Sequence, residues 1–440
     1  MRKPSERTPG RAVTRPFSIL VTFHFFSFFL SGKYITLNKT VNNDPGDRFM
    51  PSPINHPTIS TRGVIRPTQV EVDLDCLAAN FMAIKRHVEP ARVMPILKAN
   101  AYGHGLVRVA RLMQDLGAHY IGVAVLEEGI LLREKSITMP ILVLGGILGN
   151  QVPYFLQHDL SITASSIEKL LQIDKTAQDM GVKARVHLKI DTGMERIGVH
   201  YYHTEPFLET AACCSHLSVE GIFSHFANSD SEDLSHARLQ LSRFQEVLTF
   251  YEKKGLTPPP LRHMANSGAI LQLPEANLNM VRPGILLYGV SPSQHVPRSV
   301  HVKPALCWKS RVVYFKVIRE GDPVGYGSTW KSDHNIRAVT VPVGYGDGYF
   351  RSMSHKAHVL IRNKRYPVVG TIAMDQIVVN IENDSAYNDD PVILIGEVNG
   401  ETITVEELAE WAQTIPYEIL TNINTRVPRI YTGSSSPASS

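Results

Sequence analysis

From residue 93 onward, short apolar runs alternate with longer stretches whose apolar positions recur every three to four residues. The runs fall at 93–98, 120–125, 140–144, 160–164, 184–190, 219–225, 261–266 and 279–282. Runs of this length, bounded by turn residues, predict fully buried strands, and the stretches between them, such as 127–135, 166–180, 205–214 and 234–254, carry the spacing of helices with one apolar face. Repeated strand–helix order predicts a parallel sheet, and eight repeats predict closure into a barrel. After about residue 300 the pattern changes to alternation at 308–318, 337–343, 358–361, 377–381 and 392–395, with a single helix expected over 405–413, capped by Thr404 and by Glu407 three residues on. The fold class read from the chain is therefore α/β: an N-terminal (β/α)8 TIM-type barrel over 66–303, then a mostly β C-terminal domain over 304–431. Residues 1–65 read as a leader or linker, and the Ser/Gly-rich tail 432–440 is expected to be disordered.

Charge and cysteine content narrow the function. The 440 residues carry a formal net charge of +4, but residues 1–65 hold nine Lys/Arg against three Asp/Glu, a net of +6, which leaves −2 for the rest. A folded part that is slightly acidic does not suggest nucleic-acid binding. The four cysteines, Cys76, Cys213, Cys214 and Cys307, lack C-x-x-C spacing, so neither a disulfide framework nor a metal site is expected. Basic residues precede an apolar run at 17–30, which has the length of a signal-peptide core and is short for a stable membrane span. No A-x-A pattern follows, and the run contains His24. A cytoplasmic enzyme, with Met50 as an alternative start, is the expectation; export through a functional signal is its alternative.

In a barrel of this class the C-terminal ends of the strands form the active site. Those ends carry Lys98, Lys189 with Asp191, His225, Asn266 with Ser267, and Arg282. Lys98 closes the apolar run before a Gly-containing loop. An amine walled by apolar groups has its charged form disfavoured, which suits a nucleophile or a Schiff base.

Several motifs in order point further: VEVDLDCLAAN at 70–80, LKANAYGHG at 97–105, KIDTGMERIG at 189–198, SHFA at 224–227, HMANSGA at 263–269, VRPGILLYG at 281–289, VGYGSTW at 324–330, PVGYGDGYFR at 342–351, VGTIAMDQ at 369–376 and IPYE at 415–418. Over residues 66–431 the chain resembles the alanine racemase family of fold-type III, pyridoxal-phosphate-dependent enzymes. The resemblance implies an isomerase (EC 5.1.1.1) that interconverts L- and D-alanine by a two-base mechanism and supplies D-alanine for peptidoglycan. It implies that Lys98 joins the cofactor aldehyde and is one base, and that Tyr326, from the partner subunit of a homodimer with shared sites, is the other. It further implies that Tyr102, Ser267, Tyr417 and the amides of Gly284 and Ile285 hold the phosphate, with Asn266 beside them and His225 against the pyridine ring.

By the same resemblance Arg282 faces the ring nitrogen and keeps it unprotonated. Arg196 touches the phenolic oxygen, with Lys189 carbamylated to pair with it, and Tyr345 with the Met374 backbone receives the substrate carboxylate. A phenol acting as a base near neutrality needs positive charge close by, and His263, beside Arg282, is the candidate to supply it. Asp230, Arg351 and Ile415 match entrance positions, whereas Thr371 and Ala373 depart from the family's usual arginine and cysteine. Those departures leave a broad-specificity racemase as the alternative. A decarboxylase of the same fold would place a carboxylate where Arg282 stands, and a non-catalytic cofactor-binding barrel would lack the domain that carries Tyr326.

Overall fold

The computed structural model describes residues 66–433; the basic leader with its apolar run, and residues 434–440, lie outside the described residues. All eight strands expected from the apolar runs form, though several are shorter than the runs. In spatial order the parallel sheet runs Arg92–Val93, Met280–Val281, Leu261–His263, Leu217–Phe223, Ala184–Asp191, Ser161–Ala164, Ile141–Val143 and Ile121–Val123. An Ile96–Gly122 bridge joins the last strand to the extension of the first, closing the barrel. The runs are apolar throughout because both faces are covered: Val186, Leu188, Ile190, Ile162, Leu142 and Ile121 have no exposed surface. Helices such as Ile167–Asp179, capped by Ser166, and Ser235–Lys253 bury one face against the strands. Among the described residues no helix is long and apolar enough to cross a membrane.

The second sheet has ten strands, and its membership revises the boundary read from the sequence. Gln69–Asp73, inside the segment assigned to the barrel, instead lies between Leu306–Arg311, to which it is antiparallel, and Arg429–Thr432, to which it is parallel. Its Val70 and Val72 are fully buried. The run 308–318 is not one strand either. It breaks after Arg311, with the Val312 amide donating to Asp390 and that of Val313 to Thr340, so Tyr314–Ile318 pairs with a different partner, Ile336–Val341. The strand Lys364–Val369 completes a hairpin that the sequence reading missed.

The expected single helix is also two. Val405–Ala412 has the reciprocal Thr404–Glu407 cap, and Pro416–Asn422 follows after a left-handed Gln413. Proline at the first helical position has no amide to satisfy there, so the second helix starts where the first cannot continue. This helix carries Tyr417 to the barrel mouth.

Candidate active site

Lys98 stands at the start of an unusual turn rather than at the end of a regular strand. Ala99, Asn100, Ala101 and Tyr102 all have φ between 50° and 56°, a left-handed conformation that costs roughly 1–2 kcal/mol per residue for L-amino acids. Local bonds offset part of that. Ala101 N donates to Leu97 O (2.7 Å), Gly105 N to Asn100 O (2.8 Å), and the Asn100 side chain accepts from Leu106 N (2.9 Å). Glu128 bridges the turn to the next strand end, accepting from Ala99 N at 2.7 Å and Ala124 N at 2.8 Å. Sequence reasoning missed this carboxylate, because nothing in LEEG signals that a left-handed turn 29 positions upstream needs an acceptor.

Lys98 opens onto a cavity of about 460 Å³ at the barrel mouth, also lined by Tyr102, Lys189, Arg196, His225, Asn266, Ser267, Arg282, Gly284, Ile285 and Tyr417. Nine barrel-side positions singled out in the sequence, together with Tyr417 from the second domain, thus meet in one place with Lys98, while His263 and Asp191 do not line the cavity. The lysine side chain is open to the mouth, yet the surrounding protein desolvates it. That desolvation, reinforced by the Arg196 charge and opposed by Glu128, lowers its pKa below 10.5. Lys189 is buried, and desolvation brings it down to about 7 despite Asp191. Asp191 fixes the loop that carries Arg196: Oδ1 accepts from the amides of Gly193, Met194 and Glu195, and Oδ2 from that of Arg196.

One wall of the cavity is a set of hydrogen-bond donors suited to a phosphate. The Ser267 hydroxyl lies 3.0 Å from Gly284 N and 3.3 Å from Leu286 N. Asn266 caps the turn that presents Ser267, accepting from Ala269 N (3.0 Å) and from Ser229 Oγ (2.6 Å). Burial raises the pKa of the Tyr102 and Tyr417 hydroxyls, so both remain donors at neutral pH. The fit depends on Gly284: a Cβ there would sit 2.6 Å from Tyr102 Oη, in the space where the donors converge. A small anion fits this cradle, since hydroxyls and backbone amides suit its oxygens.

Arg282 forms the floor. Its guanidinium donates to Ser224 O (2.7 Å), Met264 O (3.1 Å), His263 Nδ1 (2.7 Å) and His225 Nδ1 (3.2 Å). Burial draws its pKa down to about 9, which leaves it charged at neutral pH. Desolvation and the Arg282 charge hold both His225 and His263 well below 6.5. The expectation that His263 supplies positive charge to the phenolic base is therefore wrong: it is neutral, fully buried and an acceptor to Arg282.

Tyr326, Tyr345 and Met374 do not line this cavity. They sit together on loops of the β domain, 74 %, 42 % and 52 % exposed. Thr371 Oγ1 donates to Tyr326 O (2.9 Å), Tyr345 N to Ala373 O (3.1 Å), and Gly346 N to Met374 O (2.9 Å). Asp347, fully buried, ties these loops to Arg66 (2.7 Å) and Arg426 (2.6 Å).

Comparison with known proteins follows the same division. A family model described as the alanine racemase N-terminal domain matches residues 72–292, and one for the C-terminal domain matches 305–431. The chain is 44 % identical over 369 residues to the alanine racemase of Carboxydothermus hydrogenoformans, spanning 83 % of this chain and all of the relative. It is 42 % identical over 370 residues to that of Symbiobacterium thermophilum, spanning 84 % and 98 %. Among solved structures, the alanine racemase of Clostridium difficile 630 superposes with a TM-score of 0.80 at 35 % identity, over 85 % of this chain and 97 % of the other. A histidine racemase from Leuconostoc mesenteroides reaches 0.77 at 28 % identity, over 84 % and 99 %.

Proposed function

The chain belongs to the alanine racemase family, and from that premise we propose that its site interconverts L- and D-alanine with pyridoxal phosphate as cofactor and Lys98 and Tyr326 as the two bases. The observation that carries this reading is the meeting, in one cavity, of a desolvated lysine, a buried guanidinium and a donor-lined anion cradle. When bound, the cofactor supplies an electron sink for the pair left on Cα after proton removal.

The chain's own groups do the rest. Tyr102, Ser267, Tyr417 and the amides of Gly284 and Ile285 bind the phosphate, with Asn266 holding Ser267 in place. With the cofactor bound, His225 would pack on it, and Arg282, a permanent donor, would leave the ring nitrogen without a proton. Arg196 would hold the phenolic oxygen. Lys189, neutral for much of the time at a pKa of about 7, is competent to take up carbon dioxide as a carbamate and pair with Arg196. Inverting Cα requires removal of its proton on one face and return on the other, so the bases must flank the substrate. Tyr326 stands exposed on the β domain, outside its own chain's cavity, which supports a homodimer in which each β domain brings Tyr326, Tyr345 and Met374 over the partner's barrel. Covering the mouth in this way excludes water from the reacting carbon.

The proposed role is cytoplasmic supply of D-alanine for peptidoglycan, with no metal involved. The test is chiral chromatography of purified chain incubated with L-alanine and pyridoxal phosphate, run beside L-serine and L-histidine, together with borohydride trapping and peptide mapping. Formation of D-alanine and covalent label on Lys98 are expected. No D-alanine, or label on another lysine, overturns the reading; faster turnover of a larger amino acid reassigns the substrate within the family.

A further inference from the structure

Below Arg282 a line of polar groups runs down the barrel interior. His263 Nδ1 receives the Arg282 guanidinium at 2.7 Å, and His263 Nε2 lies 2.9 Å from His187 Nδ1. His187 Nε2 has no hydrogen-bond partner, and Glu220 Oε2 stands 4.0 Å from it. Glu220 in turn accepts from Tyr120 Oη (2.6 Å) and Ser161 Oγ (3.2 Å), with Arg185 Nε 3.9 Å from its other oxygen. Both histidines have no exposed surface.

The backbone is built to place these groups. Pairing between Ala184–Asp191 and Leu217–Phe223 slips after Val186–Val219, so His187 faces Gly221 and Glu220 is the extra residue of a bulge. Bulges re-aim a side chain. A Cβ on Gly221 would lie 2.3 Å from His187 Nδ1, so only glycine leaves room for that ring.

Hydrogen-bond chemistry then sets a direction. A guanidinium only donates, so His263 Nδ1 must accept, its proton is on Nε2, and His187 must accept at Nδ1 and carry its own proton on Nε2, toward Glu220. A carboxylate only accepts. The two ends of the line therefore demand the same arrangement. Protonating either imidazole would set a cation among Arg282, Arg185 and Lys189, with Glu220 the facing anion and Tyr120 a neutral donor; burial and these charges push His187 down to about 3.

We propose that Glu220 is a positioning residue for Arg282: through His187 and His263 it fixes which nitrogen of each imidazole carries the proton, and so keeps an acceptor turned toward the guanidinium. The role deepens the proposed racemisation and rests on it for its kinetic consequence alone.

The test uses the full chain labelled with ¹⁵N-histidine, with and without pyridoxal phosphate, and the variants Glu220→Leu, which cannot accept, and Glu220→Gln, which can. In the parent both imidazoles are expected to be neutral with the proton on Nε2. In Glu220→Leu that single arrangement is expected to give way to a mixture, with kcat for alanine falling about tenfold at unchanged KM. Glu220→Gln is expected to stay within threefold of the parent. The proposal is overturned if both histidines keep one arrangement in Glu220→Leu, whatever the rate does, or if the mixture appears and kcat is unchanged. If Glu220→Leu does not fold, Glu220→Ala is read in its place with the same expectations, and retention of one arrangement by both histidines overturns the proposal. The nitrogen spectra bear on the relay even if the parent racemises nothing, an outcome that would count against the proposed function alone.

Discussion

Gly284→Ala is the sharpest test of the anion cradle. The added methyl would sit 2.6 Å from Tyr102 Oη and 3.2 Å from its Cζ, so the phenol must retreat by close to an ångström to reach ordinary contact. Tyr102 has little room to do so. It is buried against Tyr288, with ring centroids 5.0 Å apart, and Tyr417 stands 6.0 Å away on the other helix. Overpacking of this kind costs roughly 1–3 kcal/mol of stability. The larger effect falls on binding: displacing the phenol and screening the Gly284 amide removes two hydrogen bonds to a charged group, each worth about 1.5–3 kcal/mol. At about 1.4 kcal/mol per tenfold, both bonds at the lower figure, about 3 kcal/mol together, correspond to roughly a hundredfold weaker pyridoxal phosphate binding. Equilibrium dialysis of the cofactor-free chain measures this directly, with the melting temperature as a control for folding. Because the methyl acts through the hydroxyl, its effect should shrink in a Tyr102→Phe background. A dissociation constant within threefold of the parent, or fully additive losses in the double variant, would refute the cradle.

Lys98→Ala should lose both covalent capture of the cofactor and racemisation, checked by borohydride trapping and chiral chromatography. Tyr326→Phe should leave cofactor binding intact and sharply slow exchange of the α-deuteron of L-alanine into water, measured by NMR. Mixing inactive Lys98→Ala and Tyr326→Ala chains should restore part of the activity once mass spectrometry shows subunit exchange; exchange without recovery would put both bases in one chain. Lys189, with a pKa lowered from 10.5 to about 7 on folding, binds fewer protons folded than unfolded between those values, so it favours stability increasingly as pH rises from 7 to 10.5 and that contribution is lost as pH falls through 7. Urea unfolding of the cofactor-free chain across this window should show a shallower rise in Lys189→Met; identical slopes would show that the lysine is not held neutral.

The barrel was legible in the sequence because its strands are covered on both faces, so burial writes itself as plain apolar runs. Lys98, Lys189 and Arg282 were legible because each interrupts such a run at its C-terminal end, where a charge has no structural reason to be. What escaped depends on distant partners. Gln69–Asp73 alternates like any strand and gives no sign that its neighbours are Leu306–Arg311 and Arg429–Thr432. The left-handed turn after Lys98 is set by Glu128 and the packing around Gly103, whose absent Cβ would meet Leu420 O at 2.2 Å. His263 was misread because its neighbour Arg282 suggested positive charge, whereas depth in the barrel decides that the ring stays neutral. Pro416 starts a second helix that the single expected helix over 405–413 did not include.

The place of Gln69–Asp73 in the second sheet also imposes a timetable on synthesis. Val70 leaves the ribosome 238 positions ahead of its partner Trp308 and 359 ahead of Arg429. At roughly 5–20 residues per second, the later partner arrives on the order of 20–70 s afterwards. Until Trp308 emerges this early strand has both edges unpaired, and until Arg429 emerges it still has one, while the barrel residues that follow it are already free to assemble. The nascent protein thus carries an adhesive edge from the time Val70 emerges until residue 429 is made, and a chain that stops short of residue 429 keeps that edge for good.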